Sequence, residues 1–306
     1  MTRFKWNQFS QIDKFEDLQI YLDGNEYRHT NYYHYTNLQV IESILKNNEF
    51  WLSCVNRFND KKDRKQFGDL KKQREFYSAC FSTGVSENLP LWYLYSGTEG
   101  NGGRIRFTPS VAKNLVNTCT YTLHEYKNNK IGKSLLTLKN GISMNIMFKD
   151  VLYYRNYDGK VSLKYNTMTN YKFLSSKEIE ENFNYFLKGL IWFYEKETRL
   201  IVQLKGEALK IVNGDAEIEY KVVLHFDDKI KNQFSIDFAP EITQIEEITN
   251  NEQYSNIKKK FLQSSKVKLS NYNGEIEMRI CDDCEHKKKC NTCSFKKNTE
   301  ESQCQK

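Results

Sequence analysis

Tyr33-His34-Tyr35-Thr36, followed without a break by Asn37-Leu-Gln-Val-Ile-Glu-Ser-Ile-Leu-Lys-Asn-Asn48, sets the frame for the whole chain. Aromatic and β-branched side chains make the first four residues a short strand, whose two-residue period turns His34 and Thr36 to one face. Asn37 carries the side chain of a helix N-cap, and Leu38, Ile41, Ile44 and Leu45 recur at helical spacing as one apolar stripe. Phe50-Trp-Leu-Ser-Cys-Val55 then reads as a second strand, running into Asn56-Arg-Phe-Asn-Asp60. A lone histidine on such a strand is most simply a satisfied core residue. It becomes a functional candidate only through partners elsewhere in the chain.

Those partners stand in two places. Glu195-Lys-Glu197 puts two carboxylates two apart at the start of the strand-like run Phe193–Leu204, so that each raises the proton affinity of the other unless a cation intervenes. Arg199, two residues further on, is placed to supply that cation; on an exposed strand the same residues would be an ordinary charge ladder. The second place is Cys80-Phe-Ser82 followed by Trp92-Tyr-Leu-Tyr95. Such aromatic clusters build cores as readily as ligand platforms.

Taken in order, His34-x-Thr36, Phe58-Asn59-Asp60, Cys80-Phe81-Ser82, Trp92-x-x-Tyr95 and Glu195-x-Glu197-x-Arg199 resemble the motif series of a widespread bacterial family of unassigned function, often seen beside phage-defence genes. The His-x-Thr opening and the Glu-x-Glu pair are similar to those of ADP-ribosyltransferase-like toxins, especially the DNA-modifying branch. The resemblance implies an α+β fold, a split and mostly antiparallel sheet with flanking helices around a cleft, and NAD as substrate. It implies that His34 and Thr36 hold the nicotinamide ribose, that Ser82 or Tyr95 touches the nicotinamide or its ribose, and that Asn59 belongs to the same binding set. By the same resemblance Glu197 hydrogen-bonds the ribose and stabilises an oxocarbenium-like transition state, while Glu195 orients the nucleophile. The implied activity is ADP-ribose transfer to a macromolecular acceptor, nucleic acid or protein, by a toxin or anti-phage effector with a neutralising antitoxin or defence-complex partner. Hydrolysis of NAD on the same fold and a non-catalytic nucleic-acid-binding module are the alternatives. Two departures are visible: Lys61 stands where proline usually follows Asn-Asp, and no arginine matches the one after the toxin helix, Arg57 and Arg64 being nearest.

The last motif is Cys281-Asp-Asp-Cys284-Glu-His-Lys-Lys-Lys-Cys290-Asn-Thr-Cys293. Two Cys-x-x-Cys pairs this close in a polar segment suit a tetrahedral structural zinc, with His286 and Cys304 as spare ligands; an iron–sulfur cluster is the rival. The expected division is therefore a catalytic domain over 1–275, its first 30 residues a helical extension, and a zinc-knuckle-like tail over 276–306.

Composition sets the outer limits. The 306 residues include 20 Tyr and 19 Phe with mixed charges, as expected of a chain that folds around a sizeable core. Residues 57–160 hold 18 Lys/Arg and 9 Asp/Glu, a balance of +9, so the rest of this +7 chain sums to −2. The basic half suits phosphates or is a solvated lysine-rich surface. No stretch approaches the ~20 apolar residues of a membrane span, and the first residues lack the apolar centre of a signal peptide; a cytoplasmic protein with no membrane partner is expected. Cys54, Cys80 and Cys119 read as core fillers. Phe9, Ile12, Phe15, Leu18 and Leu22 predict a helix packed on the sheet. The charged run 61–74 predicts a solvated helix or loop, and 108–174 strands at 119–123, 151–154 and 161–165 with a helix-like segment between. A capping box at Ser175–Glu178 predicts a helix through Leu190. Strands at 220–226 and 242–248 and a helix at 251–263 follow.

Overall fold

The computed structural model of the chain describes residues 6–24, 26–84, 87–95, 101–128, 130–157, 160–165, 168–175, 183–242, 244, 248, 250–263 and 267–271. The first half runs α1 Phe15–Asp23, β1 Tyr32–Asn37, α2 Leu38–Asn47, β2 Glu49–Cys54, α3 Lys61–Gln66, α4 Leu70–Gln73, β3 Phe76–Thr83, α5 Leu89–Tyr95, β4 Gly102–Phe107 and α6 Pro109–Asn117. Then come β5 Thr120–Lys127, β6 Lys130–Leu138, β7 Met144–Asp150, β8 Leu152–Tyr157, β9 Lys160–Tyr165, β10 Met168–Ser175 and β11 Leu187–Gly189. The chain continues with β12 Glu197–Leu204, α7 Gly206–Gly214, β13 Glu219–His225, α8 Asp228–Lys231, β14 Ser235–Phe238, α9 Ser255–Gln263 and β15 Val267–Lys268. The protein is thus α+β. Every pairing between these strands is antiparallel except β8 with β11 and β14 with β15. No helix among the described residues is long and apolar enough to cross a membrane.

β3 organises the large sheet. Along one side it pairs with β12 from Ser82↔Glu197 to Phe76↔Gln203. Along the other side β1 pairs with it at Ser82 and Thr83, and β2 at Tyr77 and Ser78, so that Ala79–Phe81 have neither neighbour. The sheet therefore splits: β1 continues into β4, β14 and β15, and β2 into β13, β5 and β6. The two faces of β3 differ in kind. Tyr77, Ala79 and Phe81 join Leu200, Val202 and Leu204 of β12 in the main core, whereas Ser78, Cys80 and Ser82 alternate to the face that carries Glu197 and Arg199.

The opening unit forms as its sequence predicts. The Asn37 side chain accepts the Val40 amide at 2.8 Å, Asn48 closes α2 in the left-handed region, and Leu38, Ile41, Ile44 and Leu45 are buried. α2 lies so close to β4 that a Cβ on Gly103 would stand 2.6 Å from Ile41 Cδ1 and 2.9 Å from Leu38 Cδ2. Both neighbours are fully buried and have nowhere to retreat. Gly103→Ala is therefore expected to cost about 1–3 kcal/mol in chemical denaturation, as overpacking does; an unchanged midpoint would show that α2 is free to move.

Several expectations fail for identifiable reasons. The N-terminal helix is broken into a 3-10 turn at Trp6–Gln11 and α1, and its apolar side packs not on the large sheet but with Leu152, Leu163 and Tyr165 of the four-stranded sheet β10-β9-β8-β11. The run before Leu190 is not one helix: residues 176–182 lie outside the described residues, and 3-10 turns at Asn184–Phe186 and Leu190–Glu195 flank β11. Phe186 packs with Phe67 and Phe76 while Leu187 packs with Leu152, and a single helical face cannot serve two cores. Between the 119–123 and 151–154 strands lie β6 and β7, and the helix of that region, α6, precedes them all. No strand forms at 242–248 among the described residues. Of that stretch only residues 242, 244 and 248 are described, 243 and 245–247 lying outside the described residues; the Ile242 amide bonds the Ala239 carbonyl, Ile242 and Ile248 are buried, and β14 lies just before. The 61–74 run is helical, but it buries Asp63, Phe67 and Gln73.

Candidate functional site

A cleft of about 310 Å³ opens at the split, and its walls include His34, Asn59, Ser82, Tyr95, Glu195 and Glu197. Residues far apart in sequence thus meet in one place because β1, β3 and β12 are neighbours. Thr36, at the end of β1 opposite Gly103, is not among the lining residues. Cys80 lines the cleft as well, so of the three cysteines expected in the core it is a wall residue, while Cys54 is buried as expected.

His34 fills the split itself. Its Nδ1 lies 3.1 Å from the Cys80 carbonyl, in the stretch of β3 that has neither β1 nor β2 beside it. A carbonyl only accepts, so Nδ1 carries the proton. The ring stands against Phe50 and Phe81, with centroids 5.7 Å from each. Burial lowers its proton affinity, more than the Cys80 bond raises it, so the imidazole is neutral and Nε2 keeps a lone pair.

The carboxylates are brought together by a turn. Asn88 donates its side-chain amide to the Tyr194 carbonyl, Ser82 Oγ donates to the Glu195 carbonyl at 2.7 Å, and the Thr83 amide and Oγ1 both donate to the Lys196 carbonyl at 2.9 Å. Three successive carbonyls are thereby held, with Lys196 between the glutamates at φ +43°, a left-handed conformation unusual for a side chain with Cβ. Glu195 therefore ends a 3-10 turn and Glu197 begins β12. They do not share a strand face, as their spacing suggests; they meet because both turn to Lys188.

Lys188, on β11, donates to Glu195 Oε2 and, at 3.0 Å, to Glu197 Oε2, and its Nζ is 4.0 Å from Asp63 Oδ2. Arg199 is fully buried and grips two acids at once: Nε and Nη2 reach Glu197 at 2.8 and 3.1 Å, and Nη1 and Nη2 reach Asp63 at 2.9 and 2.5 Å. Its guanidinium also lies 5.2 Å from the centroid of the Phe58 ring. Three buried acids thus face two buried cations, and one acid is left to hold a proton. Burial alone would raise Glu197, but the charges of Arg199 and Lys188 outweigh it and keep that carboxyl well below the usual range. Glu195 is the proton holder: burial, then the neighbouring charge of Glu197, push it up to about 7 against the pull of Lys188. Tyr95, at the end of α5, points its hydroxyl at Glu195 Oε1, 3.4 Å away; burial and the Glu195 charge keep the phenol protonated as a donor. Cys80 is likewise held as a thiol by burial and by Glu197, which excludes it as a thiolate nucleophile at neutral pH.

Lys188 and Asp63 were not visible as site residues in the sequence. Lys188 had a signal, a single cation inside Phe186-Leu-Lys-Gly-Leu-Ile-Trp192, and Asp63 a fainter one, a single acid among Lys61, Lys62, Arg64 and Lys65. Of the two arginines nearest the missing one, Arg57 lines the cleft and pairs with Glu219 of β13, while Arg64 donates to the Asn56 carbonyl at 3.0 Å. Cys281, Cys284, Cys290 and Cys293 lie outside the described residues. Comparison of the chain with family models, with curated proteins and with solved structures finds no match.

Proposed function

We propose that this protein is an NAD-dependent ADP-ribosyltransferase of the ADP-ribosyltransferase-like fold, acting on a macromolecular acceptor. The observation that carries the reading is the meeting of His34, Tyr95, Glu195 and Glu197 in one cleft at the split of the sheet. In this reading the neutral His34 accepts from a hydroxyl of the nicotinamide ribose, Asn59 and Arg57 line the path of the dinucleotide, and Tyr95 covers the nicotinamide. The bond from C1′ to the nicotinamide nitrogen breaks with its electron pair leaving on nicotinamide, and Glu197, ionised and rigidly held, faces the positive charge that develops on the ribose. A nucleophilic oxygen or nitrogen of the acceptor forms the new bond to C1′, and its proton passes to Glu195, whose affinity near neutrality suits that transfer. Toxin or anti-phage action, and a neutralising partner, follow from the family resemblance.

Incubation with labelled NAD and a mixture of RNA, DNA and protein tests the reading. Label on a macromolecule supports it. Free ADP-ribose with no labelled acceptor makes the protein a glycohydrolase, and salt-sensitive nucleic-acid binding without NAD consumption makes it a binding module.

Because Glu195 must be ionised to take a proton, the single-turnover rate should rise about tenfold per pH unit below about 7 and level off above it. The stability contribution runs the other way. The folded protein keeps the Glu195 proton after the unfolded chain has released it, so this contribution is lost as pH rises through about 7. A rate flat across this range would take the proton transfer away from Glu195.

For the tail, we propose a structural zinc on Cys281, Cys284, Cys290 and Cys293. Four thiolates with hardly an apolar residue among them cannot form a core, so order there has to come from a metal. Metal analysis of protein purified without added metal should find about one zinc per chain, and a chelator should remove it while the catalytic domain stays folded. A brown protein would mean an iron–sulfur cluster instead.

A further inference from the structure

We propose that Thr122, His124 and His225 form a second site, outside the cleft, that binds a divalent transition-metal ion of the zinc type through the Nε2 atoms of the two histidines. None of the three lines the cleft, so the inference is independent of the transferase reading. The strands place them. Tyr121 and Leu123 of β5 and Val222 and Leu224 of β13 go to the main core, so the alternate residues Thr122, His124 and His225 share the other face of the sheet. Thr122 and His124 are nonetheless buried, each 8% exposed, whereas the His225 side chain is 34% exposed and opens the site to solvent.

The neighbours of each ring decide which nitrogens are on offer. His124 Nδ1 lies 2.9 Å from the Gly132 carbonyl, and His225 Nδ1 lies 3.3 Å from Glu49 Oε1. A ring proton on Nδ1 suits both places: a carbonyl only accepts, and a lone pair beside Glu49 would face its oxygen. Each uncharged ring then turns the lone pair of Nε2 outward. Both Nε2 atoms lie 2.7 Å from the same atom, Thr122 Oγ1. A hydroxyl has one proton and satisfies one of them; the other meets it lone pair to lone pair. The cluster is one cation short. A proton on His225 would close the count, but burial, aided by His124, outweighs the pull of Glu49 and lowers the proton affinity of that ring. A metal ion closes it without that cost, because it binds the unprotonated imidazole. The outer partners are those that metal-bound histidines take, a backbone carbonyl for one ring and a carboxylate for the other. Glu49 is itself held by the Trp51 indole, 3.2 Å from its Oε2. Among the described residues no three His, Cys, Asp or Glu side chains gather to hold a metal ion. The site therefore offers two nitrogens and the Thr122 oxygen, with water completing the shell. Such a set suits zinc, nickel or copper and not magnesium or calcium, which take oxygen ligands.

The test uses the full chain, stripped of metal with a chelator and titrated with Zn(II) and, separately, with Ni(II). Ions taken up by the cysteines of the tail are common to all the proteins compared, so the readout is the difference from the parent. His225→Gln is expected to bind about one equivalent fewer. Glu49→Gln, which alters no ligand, should keep that equivalent but loosen it about tenfold or more. Trp51 is a local reporter through its contact with Glu49: Ni(II) should quench a part of the parent's tryptophan fluorescence that is missing in Trp51→Phe and unquenched in His225→Gln. Zn(II) should also raise the melting temperature of the parent more than that of His225→Gln. Circular dichroism establishes that each variant is folded, and Glu49→Gln keeps the test decisive if His225→Gln does not fold. The proposal is overturned if His225→Gln takes up as many ions as the parent, or if Glu49→Gln leaves every affinity unchanged. It is also overturned if the His225 ring signals in NMR spectra respond to protons and to neither ion, which would make the cluster a proton site only.

Discussion

Glu197→Gln is expected to reduce NAD turnover by about a hundredfold or more while the protein remains folded. The substitution keeps the shape of the side chain and removes the negative charge that faces the ribose, and losing one such pre-placed electrostatic group commonly costs ~3 kcal/mol of transition-state stabilisation. Folding survives because neither cation is orphaned: Arg199 keeps its two bonds to Asp63, and Lys188 keeps Glu195. A second readout separates this role from a merely structural one. The charge of Glu197 is, after burial, the main reason that Glu195 holds its proton up to about 7, so the pH midpoint of whatever turnover remains should move down in the variant. Nicotinamide release measured across pH, alongside a thermal melt, decides the matter. Full activity in the variant would move the stabilising role to Glu195, and a collapsed melt would make Glu197 a residue of the fold.

What could be read in the sequence was whatever local rules specify. The cap at Asn37 and the stripe on α2 are short-range devices, and both formed as written. The same is true of Glu197 and Arg199, whose two-residue spacing on a strand does bring them together. The pairing of the two glutamates was right in outcome and wrong in cause, because a left-handed Lys196 and three held carbonyls replace the strand geometry that the spacing assumes. Lys188 escaped notice since its burial depends on contacts with acids up to 125 residues away in sequence (Asp63 to Lys188). Phe186 and Leu187 show the converse limit: a helical period can be present in a chain whose successive residues serve two cores on opposite sides. Strand β14 was missed because only four residues form it, Ser235–Phe238, and its pairing with β4 supplies what its own pattern lacks.

Arg199→Met should be the most damaging single substitution for stability. The guanidinium is fully buried, and it is the group that binds Glu197 and Asp63 together, so its removal leaves those two acids to share with Glu195 the charge of Lys188. Removing one partner of a buried ionic cluster costs about 3–5 kcal/mol, which for a chain of this size is a fall in Tm of roughly 5–8 °C. The cause is identified by pH. Burial already raises the Asp63 carboxyl against the pull of Arg199, and without the guanidinium both acids gain affinity for protons, so the variant recovers part of its loss as the solution is made acidic. Thermal melts at about pH 5 and about pH 8 should therefore show a smaller gap from the parent protein at the lower value. Adding Asp63→Leu to the variant removes one of the stranded acids with a side chain of similar size, and the double variant should be more stable than Arg199→Met alone. A gap independent of pH, with no rescue by the second change, would mean that Arg199 stabilises through its packing against the Phe58 ring and that charge balance in the cluster is secondary.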